Sequence, residues 1–429
     1  MMSSRRGFVK NMAAILGTAS IHTMIESAVS SGLKAASMNN LAMDSDKSAT
    51  DGIFWNWVRD SYTVSRNILN LNNGGVSPQP KITQDAQDKY NRMANEAPSY
   101  YMWRILDAGR EPLRENLAQL AGCSPEEIAI NRNSTEGLNT IIFGLNLQKG
   151  DEIVMSNFDY PNMRNAWNQR VKRDGIVLKK AILPLPMDND EKIVKLYTDL
   201  FTERTKIVHL THIINWTGQI IPVRKIADEA HKRGIEVIVD GAHSFAHLDY
   251  NIPDLGADYF GTSLHKWLCA PFGSGLMYIK KDKIKNIWAL LSSDEPDGDN
   301  IRKFESLGTR SFAKEMAIGY SLDFHNMITT KRKQDRLQYL KNYWASRALE
   351  NPKVYMNTSL NLNYSCALAN FGIKGMTGSE IDQQLFNKYK IHTVAISHEH
   401  IDGVRVTPNI YTSESDLDRL VTAINEIAG

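Results

Sequence analysis

The strongest constraint on the fold lies between residues 205 and 243, where apolar runs alternate with an amphipathic helix. TKIVHLTH predicts a strand, VRKIADEAHKRG predicts a helix that ends at Gly234, and IEVIVDGAH is an apolar run that ends in Asp240. An earlier run, DEIVMSN, predicts another buried strand. Strands that lack polar alternation are buried on both faces, which is typical of parallel sheets covered by helices. The sequence therefore predicts an α/β fold with a mostly parallel sheet.

The predicted strands place several polar residues at one edge of this sheet. Ligands of parallel sheets bind beyond the carboxyl ends of the strands. Asp240 lies at that end of its strand, and His212 and Asn215 follow the preceding strand. A carboxylate at the end of a buried strand is costly unless it is paired, so we expect Asp240 to face a cation or a hydrogen-bond donor.

Lys266 lies in an apolar and constrained segment, TSLHKWLCAPFGSG. Taken alone, this segment is compatible with a surface lysine, because an ammonium group is rarely buried without a partner. Burial and a nearby cation would, however, lower the pKa of the lysine and make it a nucleophile. The residues around it in the predicted fold decide between these interpretations.

Three further motifs provide groups for a phosphate, an aromatic ring and a carboxylate. NRNSTEGLN places Ser134 and Thr135 at a turn into a helix, where hydroxyls and free N–H groups suit a phosphate. SNFDYPN offers Tyr160 as a stacking ring, and GVRVTPN offers Arg405, whose fork binds a carboxylate. Together with an acid and a constrained lysine, these groups describe a site for pyridoxal phosphate (PLP), whose aldehyde forms a Schiff base with lysine.

The segments HIINWTGQIIPVRKIADEAHKRGIEVIVDGAHSFAHL and GADYFGTSLHKWLCAPFGSGLMYI resemble the class V aminotransferase family of fold-type I PLP enzymes. The resemblance runs from LNLNNGGVSPQP to the C terminus and is greatest to the isopenicillin N epimerase-like branch. It implies a large domain with a mostly parallel seven-stranded sheet and a smaller C-terminal α+β domain. It also implies PLP as the cofactor and a small amino acid as the substrate.

The resemblance implies roles for five residues around the cofactor ring. Lys266 would form the Schiff base and act as the base at Cα, and Asp240 would hold the pyridine nitrogen. His243 would be catalytic together with these two residues. Both His243 and Asn215 would lie near the 3-hydroxyl of the cofactor. Tyr160 would take the stacking position, which is a histidine in many relatives. Asn215 could instead be a turn residue only, and Tyr160 a core ring.

The resemblance also implies residues for the phosphate and the substrate. The phosphate would be held by Ser134, Thr135, Ser263 and His265. Thr309, in ESLGTRS, would reach the phosphate of a neighbouring subunit, which implies a homodimer with shared active sites. Arg405 would bind the substrate carboxylate. Thr309 could instead cap a local turn, and Arg405 could be a structural salt-bridge partner.

The reaction is less constrained than the cofactor. Cysteine desulfurases carry a nucleophilic cysteine shortly before the carboxylate-binding arginine, but KYKIHTVAISHEHIDGVR contains none. Cys269 follows the lysine segment directly and Cys366 lies in a predicted strand, so neither suits a mobile persulfide carrier. Transamination, epimerisation and β-lyase chemistry, including C–S lysis, all begin with proton removal at Cα and remain open. A non-catalytic binding scaffold is the remaining alternative, although such a protein would be expected to lack the lysine.

Charge and cysteine content exclude several other classes. The net charge is +2 with both signs interspersed, so no basic stripe indicates nucleic acid or a membrane surface. The three cysteines, with Cys123 the first, are odd in number and are interpreted as free thiols. The HEH motif at His398 and His400 lacks a third ligand at suitable spacing, so we expect no metal site.

The N terminus has the pattern of an export signal. SSRRGFVKNMAAILGTASIHTMI combines Arg5 and Arg6 with an apolar run that is too short to span a bilayer stably. It is similar to a twin-arginine signal, which predicts export of the folded protein to the periplasm, with no stable membrane span after signal removal. The predicted segments are a signal peptide at 1–31, a disordered linker at 32–51, an N-terminal segment on the small domain at 52–74, a large PLP-binding domain at 75–320 and a small domain at 321–429.

Overall fold

The structure, a computed structural model, describes residues 48–429. The predicted signal peptide and residues 32–47 of the predicted linker lie outside the described residues. Ser48 and Ala49, which belong to that predicted linker, are buried against the fold. The Ser48 carbonyl accepts a hydrogen bond from the Trp55 indole at 2.9 Å, and the Ala49 carbonyl accepts one from Arg336 at 2.9 Å.

The described residues form helices and strands joined by short helical turns. The helices of nine or more residues are α1 (Gly52–Asp60), α2 (Lys81–Glu96), α3 (Arg110–Ala121), α4 (Ser134–Gly144), α5 (Pro161–Asp174), α6 (Asp190–Thr198), α7 (Val223–His231), α8 (Phe312–Ile328), α9 (Thr330–Ala348), α10 (Gly378–Tyr389) and α11 (Glu414–Ala428). The strands are β1 (Leu69–Asn70), β2 (Ile128–Asn131), β3 (Glu152–Ser156), β4 (Val177–Ala181), β5 (Thr205–Thr211), β6 (Glu236–Asp240), β7 (Tyr259–Ser263), β8 (Gly275–Ile279), β9 (Val354–Met356), β10 (Ala369–Ile373), β11 (Ile391–His392), β12 (Val394–His398) and β13 (Ile401–Val406). The shorter helical turns are Pro98–Tyr100, Tyr101–Leu106, Asp107–Gly109, Pro125–Glu127, Ile252–Leu255, Lys281–Asn286 and Ile301–Glu305.

The central sheet has seven strands in the order β2-β8-β7-β6-β5-β3-β4. All strands are parallel except β8, which is antiparallel to both of its neighbours. Successive residues of β5 face opposite sides, so Val208 packs into one core and Ile207 into the other. Both faces of the sheet are therefore buried under helices, which confirms the predicted α/β fold with a mostly parallel seven-stranded sheet.

A second, antiparallel sheet lies in the C-terminal region, with the order β12-β13-β10-β9. Its core is built with α9, α10 and α11 and includes Trp344, Phe371 and Leu417. Leu69 and Leu71 add to this core, because β1 pairs in parallel with β11. The N-terminal segment thus contacts the C-terminal unit through β1, whereas α1 packs into the main core of the molecule. The domain boundary predicted at residue 320 falls within α8.

One predicted strand is shorter than expected, and this changes the position of a cysteine. The sequence places Cys366 in a strand, but β10 begins at Ala369 and Cys366 lies in the preceding loop. The backbone N–H of Ala367 donates to His247 at 3.1 Å instead of a neighbouring strand, which explains the later start. Cys366 is nevertheless buried.

Candidate active site

A cavity of about 320 Å³ lies at the carboxyl ends of β5, β6 and β7. Ten of the eleven residues predicted for the site line it together: Ser134, Thr135, Tyr160, Asn215, Asp240, His243, Ser263, His265, Lys266 and Arg405. The other lining residues are Gly74, Gly75, Asn133, Thr211 and Ala242. The cavity thus lies beyond the carboxyl ends of the parallel strands, which is where the sequence analysis places these residues.

Lys266 lies in the turn after β7, and its ammonium group faces the cavity. The Lys266 Nζ lies 3.1 Å from Nε2 of His243. Burial, and to a smaller extent the charge of Arg405, lowers the pKa of Lys266 to about 8, although Asp240 opposes this shift. A free amine is thus accessible near neutral pH, as nucleophilic and basic chemistry requires.

His247, which we did not predict, holds the turns on both sides of this lysine. Its ring stacks on Trp267 with the centroids 3.7 Å apart. Its Nδ1 contacts the His243 carbonyl at 2.6 Å, and its Nε2 accepts the N–H of Ala367. Burial lowers the pKa of His247 to about 3, so the ring is neutral and can make both contacts. The residue therefore positions the Lys266–His243 pair against the C-terminal region.

Asp240 lies at the floor of the cavity at the end of β6. Its Oδ1 accepts the N–H of Ala242 at 3.0 Å, and its side chain forms no ion pair within residues 48–429. Burial raises the pKa of Asp240, while the Ala242 N–H, His209 and Lys266 act in the opposite direction. A buried carboxylate of this kind is stabilised by a cationic donor placed above it, such as a protonated pyridine nitrogen.

Small polar groups collect where α4 begins. The N–H of Ser134 donates to Ser263 Oγ at 3.0 Å, and the two hydroxyls lie 3.1 Å apart. Asn133 caps the helix by accepting the N–H of Glu136 at 2.9 Å. His265 adds an imidazole whose Nδ1 contacts the Ser274 carbonyl at 3.0 Å. Hydroxyls and N–H groups at the start of an eleven-residue helix suit a phosphate.

Arg405, on β13, is a buried cation without a carboxylate partner among the residues that the structure describes. Its Nη1 donates to the Asn215 carbonyl at 2.8 Å, its Nη2 donates to Asn72 Oδ1 at 2.9 Å, and its buried Nε has no partner. Burial lowers the pKa of Arg405 to about 10. The alternative of a structural salt bridge therefore has no support here, and the guanidinium is available to an incoming carboxylate.

Two further polar atoms of the cavity bear on whether its lining suits PLP. Asn215 Oδ1 and His243 Nδ1 are buried and have no hydrogen-bond partner in the described chain. Orphaned polar atoms are costly, and a substituted pyridine ring with a hydroxyl group would provide them with partners. The lysine, the acid, the phosphate cradle and these atoms fit PLP.

Some predicted residues lie elsewhere. Thr309 lines a separate cavity of about 480 Å³ together with Arg132 and Lys314, and the structure does not bring it to Lys266. His212 packs edge-on against Tyr250 instead of lining the site. His398 and His400, the HEH motif, contact the backbone carbonyls of residues 157 and 185 at 3.0 and 2.7 Å.

Fold and site together define an α/β enzyme of the PLP-dependent type. The Aminotransferase class-V family profile matches residues 69–420, and the chain belongs to this family. PLP is therefore its cofactor, as predicted.

Curated proteins with two different activities are similar to this chain. The isopenicillin N epimerases of Streptomyces clavuligerus and Amycolatopsis lactamdurans are each 26% identical, over 396 and 393 residues, and each match covers 87% of this chain and 98% of the relative. A probable cysteine desulfurase of Halalkalibacterium halodurans is 32% identical over 321 residues, which covers 70% of this chain and 77% of that protein.

Solved structures share the fold at lower identity. The complex of the cystine C–S lyase C-DES with its product cysteine persulfide has a TM-score of 0.75 and 21% identity, and it covers 84% of this chain and 97% of its own. The cysteine desulfurase CsdA from Escherichia coli has a TM-score of 0.76 and 21% identity, with 86% and 97% covered.

Proposed function

We propose that the protein belongs to the isopenicillin N epimerase-like branch of the family and epimerises the α-carbon of an amino acid. The observation that carries this proposal is that Lys266 and the buried Arg405 line one cavity, and that neither forms an ion pair with any residue in 48–429. One can take a proton from Cα, and the other can hold the carboxylate attached to the same carbon.

Each side chain has a role that follows from its contacts. PLP, when bound, supplies an electron sink for the electron pair left on Cα. Lys266 removes the proton as a free amine, Arg405 orients the carboxylate through its fork, and Asp240 keeps the pyridine nitrogen protonated. His243, 3.1 Å from the lysine, accepts a hydrogen bond from it and fixes its direction.

Desulfuration through a persulfide has less support than chemistry at Cα. The residues before Arg405, from 388 onward, include no cysteine. Cys269 and Cys366 are buried, and burial raises the pKa of the Cys366 thiol, which disfavours its thiolate. The β-lyase and transaminase alternatives differ from epimerisation in their products and are separated by the same experiment.

To test the proposal, the enzyme with PLP bound is incubated with a panel of amino acids in D₂O. NMR follows exchange at Cα, chiral chromatography follows inversion, and mass spectrometry follows 2-oxo acids. Inversion supports the proposal, whereas a 2-oxo acid without inversion indicates transamination and elimination of a β-substituent indicates a lyase. If no amino acid exchanges its Cα proton, the enzyme does not act at Cα and the proposal is wrong.

Arg405→Lys should weaken substrate affinity while it keeps charge, fold and bound PLP. A lysine ammonium contacts one carboxylate oxygen, whereas a guanidinium fixes two. We expect affinity to fall by about 1.5–3 kcal/mol and kcat to fall through misorientation. Spectroscopic titration with a substrate identified by the panel measures the first effect separately. Arg336→Lys, at a buried arginine paired with Glu414, is the control and should leave affinity unchanged. Parental affinity in Arg405→Lys and Arg405→Ala would place the carboxylate site elsewhere.

We also propose export through the twin-arginine pathway to the periplasm. One support is the sequence around Arg5 and Arg6. The other is that cells make PLP internally. An enzyme that binds PLP before export is already folded and needs a pathway that transports folded proteins. Within residues 48–429, none of the helices combines the length and apolarity needed to cross a membrane. Replacing both arginines by lysine should retain the protein in the cytoplasm. Unchanged cell fractionation would contradict this proposal.

A homodimer with shared sites is the proposal that accounts for Thr309. Exposed apolar side chains lie at its cavity: Leu291, 38% exposed, lines it, and Phe272, 55% exposed, directly precedes the lining residue Gly273. Apolar exposure of this kind marks surfaces of association. Sedimentation analysis should give twice the mass of one chain, and a monomer at micromolar concentration would contradict the proposal.

A further inference from the structure

We infer that His398 is a positioning residue, which holds Arg405 in place at the cavity by clamping the turn at residues 215–216 (the 215–216 turn). This inference rests on the proposed function, because it concerns how the substrate carboxylate is bound. His398 and Ile401 form the end pair of the antiparallel hairpin of β12 and β13. His398 belongs to the HEH motif, which the proposed reaction does not use, and it lies outside the cavity lining.

The 215–216 turn, shortly after β5, joins the cavity to the C-terminal sheet. Asn215 lines the cavity, and its carbonyl oxygen accepts a hydrogen bond from Arg405 Nη1 at 2.8 Å. The carbonyl of Trp216 accepts one from the Asn370 side chain at 3.3 Å, and Asn370 pairs with Arg405 in the register of β10 and β13. Because one guanidinium nitrogen is bound to this turn, a displaced turn would change the direction in which the fork faces a carboxylate.

His398 contacts this turn through its ring. The imidazole stacks on the Trp216 indole, with the ring centroids 4.5 Å apart and the planes 22° from parallel. The indole N–H of Trp216 donates to the Phe158 carbonyl at 3.0 Å, and the Phe158 ring packs edge-on against His398 with the centroids 5.3 Å apart. The indole is thus held on one face by His398 and at its N–H by the loop that follows β3.

The same imidazole also binds the loop that leads to Tyr160. Its Nε2 lies 3.0 Å from the carbonyl oxygen of Asn157. A carbonyl oxygen can only accept, so Nε2 carries a proton and donates. His398 therefore contacts two segments that each contribute a cavity residue, Asn215 and Tyr160. The second strand of its hairpin carries a third, Arg405.

His400, two residues further along the hairpin, provides a matched comparison. Its Nε2 lies 2.7 Å from the Leu185 carbonyl, and its ring also packs edge-on against Phe158, with the centroids 5.6 Å apart. Neither Leu185 nor Phe158 lines the cavity. Both histidines thus dock the hairpin, but within residues 48–429 the ring stacked on Trp216 is that of His398.

The experiment compares His398→Gln, His398→Phe and His400→Gln with the parent. Glutamine can still donate to the backbone carbonyl but cannot stack, whereas phenylalanine can stack but cannot donate. Each protein with PLP bound is titrated with the amino acids of the panel, and the change in cofactor absorbance gives the dissociation constant whether or not the Cα proton exchanges. Then kcat is measured at saturating substrate, and thermal unfolding and absorbance without substrate confirm folding and loading.

We expect His398→Gln to raise the dissociation constant about fivefold, the scale of one lost stacking contact between rings. At saturation kcat should change by less than about twofold, because the intact guanidinium still fixes both oxygens once the substrate is bound. His400→Gln should change the dissociation constant by less than about twofold, since it leaves the stack intact. His398→Phe should regain most of the affinity, and the Asn157 carbonyl keeps a partner there because Arg164 also donates to it at 3.2 Å.

Equal losses of affinity in His398→Gln and His400→Gln would show that His398 only docks the hairpin, and would overturn the inference. Parental affinity in His398→Gln, or no recovery in His398→Phe, would overturn it as well. An enzyme that binds amino acids but exchanges no Cα proton would refute the proposed function, and the measured affinities would still decide on His398. If the wild-type enzyme binds no amino acid of the panel, Arg405 is not a carboxylate site and the inference falls with the proposed function.

Discussion

Lys266→Ala should lose activity by about 10⁴-fold, the upper end of what a positioned acid–base group contributes. The variant removes both the covalent attachment of PLP and the base that faces Cα. Borohydride reduction of the parent, followed by peptide mapping, should place the phosphopyridoxyl label on Lys266, and the variant should carry no label. A label on another lysine in the parent would contradict the assignment.

The chain provides a matched control in Lys341, a buried lysine outside the cavity lining. Lys341 is fully buried, and burial lowers its pKa to about 8, the same value as that of Lys266. Its ammonium group, however, donates to Ser365 Oγ at 2.8 Å and faces the carbonyls of residues 359 and 360. Lys341→Met should therefore leave the label and the folded enzyme's activity unchanged. A lowered pKa alone does not identify the reactive lysine, whereas an open cavity does.

Asp240→Asn should retain PLP and lose turnover by roughly 10²-fold or more. An amide cannot hold the proton of the pyridine nitrogen as a carboxylate does, so the electron sink weakens by several kcal/mol. Steady-state kinetics measures the loss, and cofactor absorbance shows that the site is still loaded.

Asp323→Asn is the control for this variant. Burial also raises the pKa of the Asp323 carboxyl, but the residue lies on α8, outside the cavity lining. We expect its turnover to equal that of the parent. Near-parental turnover in Asp240→Asn would show that the acid at the end of β6 is structural.

The parts of the site that are local in sequence were predictable. Asp240 ends a strand whose apolar run is unmistakable, and Lys266 lies in a segment whose composition is unusual for a lysine. Ser134 and Thr135 begin a helix after a strand. In each case the sequence pattern fixes the end of a strand or helix, and the carboxyl-edge rule then places the residue.

Contacts between distant segments were not predictable in this way. Asn72 accepts a hydrogen bond from Arg405, although 333 positions separate them in the chain. No sequence pattern near either residue predicts this contact. Tyr160 and Lys266 line one cavity because of a strand order, β7-β6-β5-β3, that does not follow the chain. His247 has no motif of its own, since its role comes from Trp267 and from a backbone N–H more than a hundred residues away.

The contact between Asn72 and Arg405 also bears on how the enzyme is made. A ribosome that adds about 5–20 residues per second takes roughly 17–67 s to pass from the first of these residues to the second. The cavity lacks its guanidinium wall throughout that interval, and β13, which carries it, pairs with β10 and β12 only when all three have been synthesised. The part of the cavity that would bind the substrate carboxylate is therefore complete only when nearly the whole polypeptide has been synthesised.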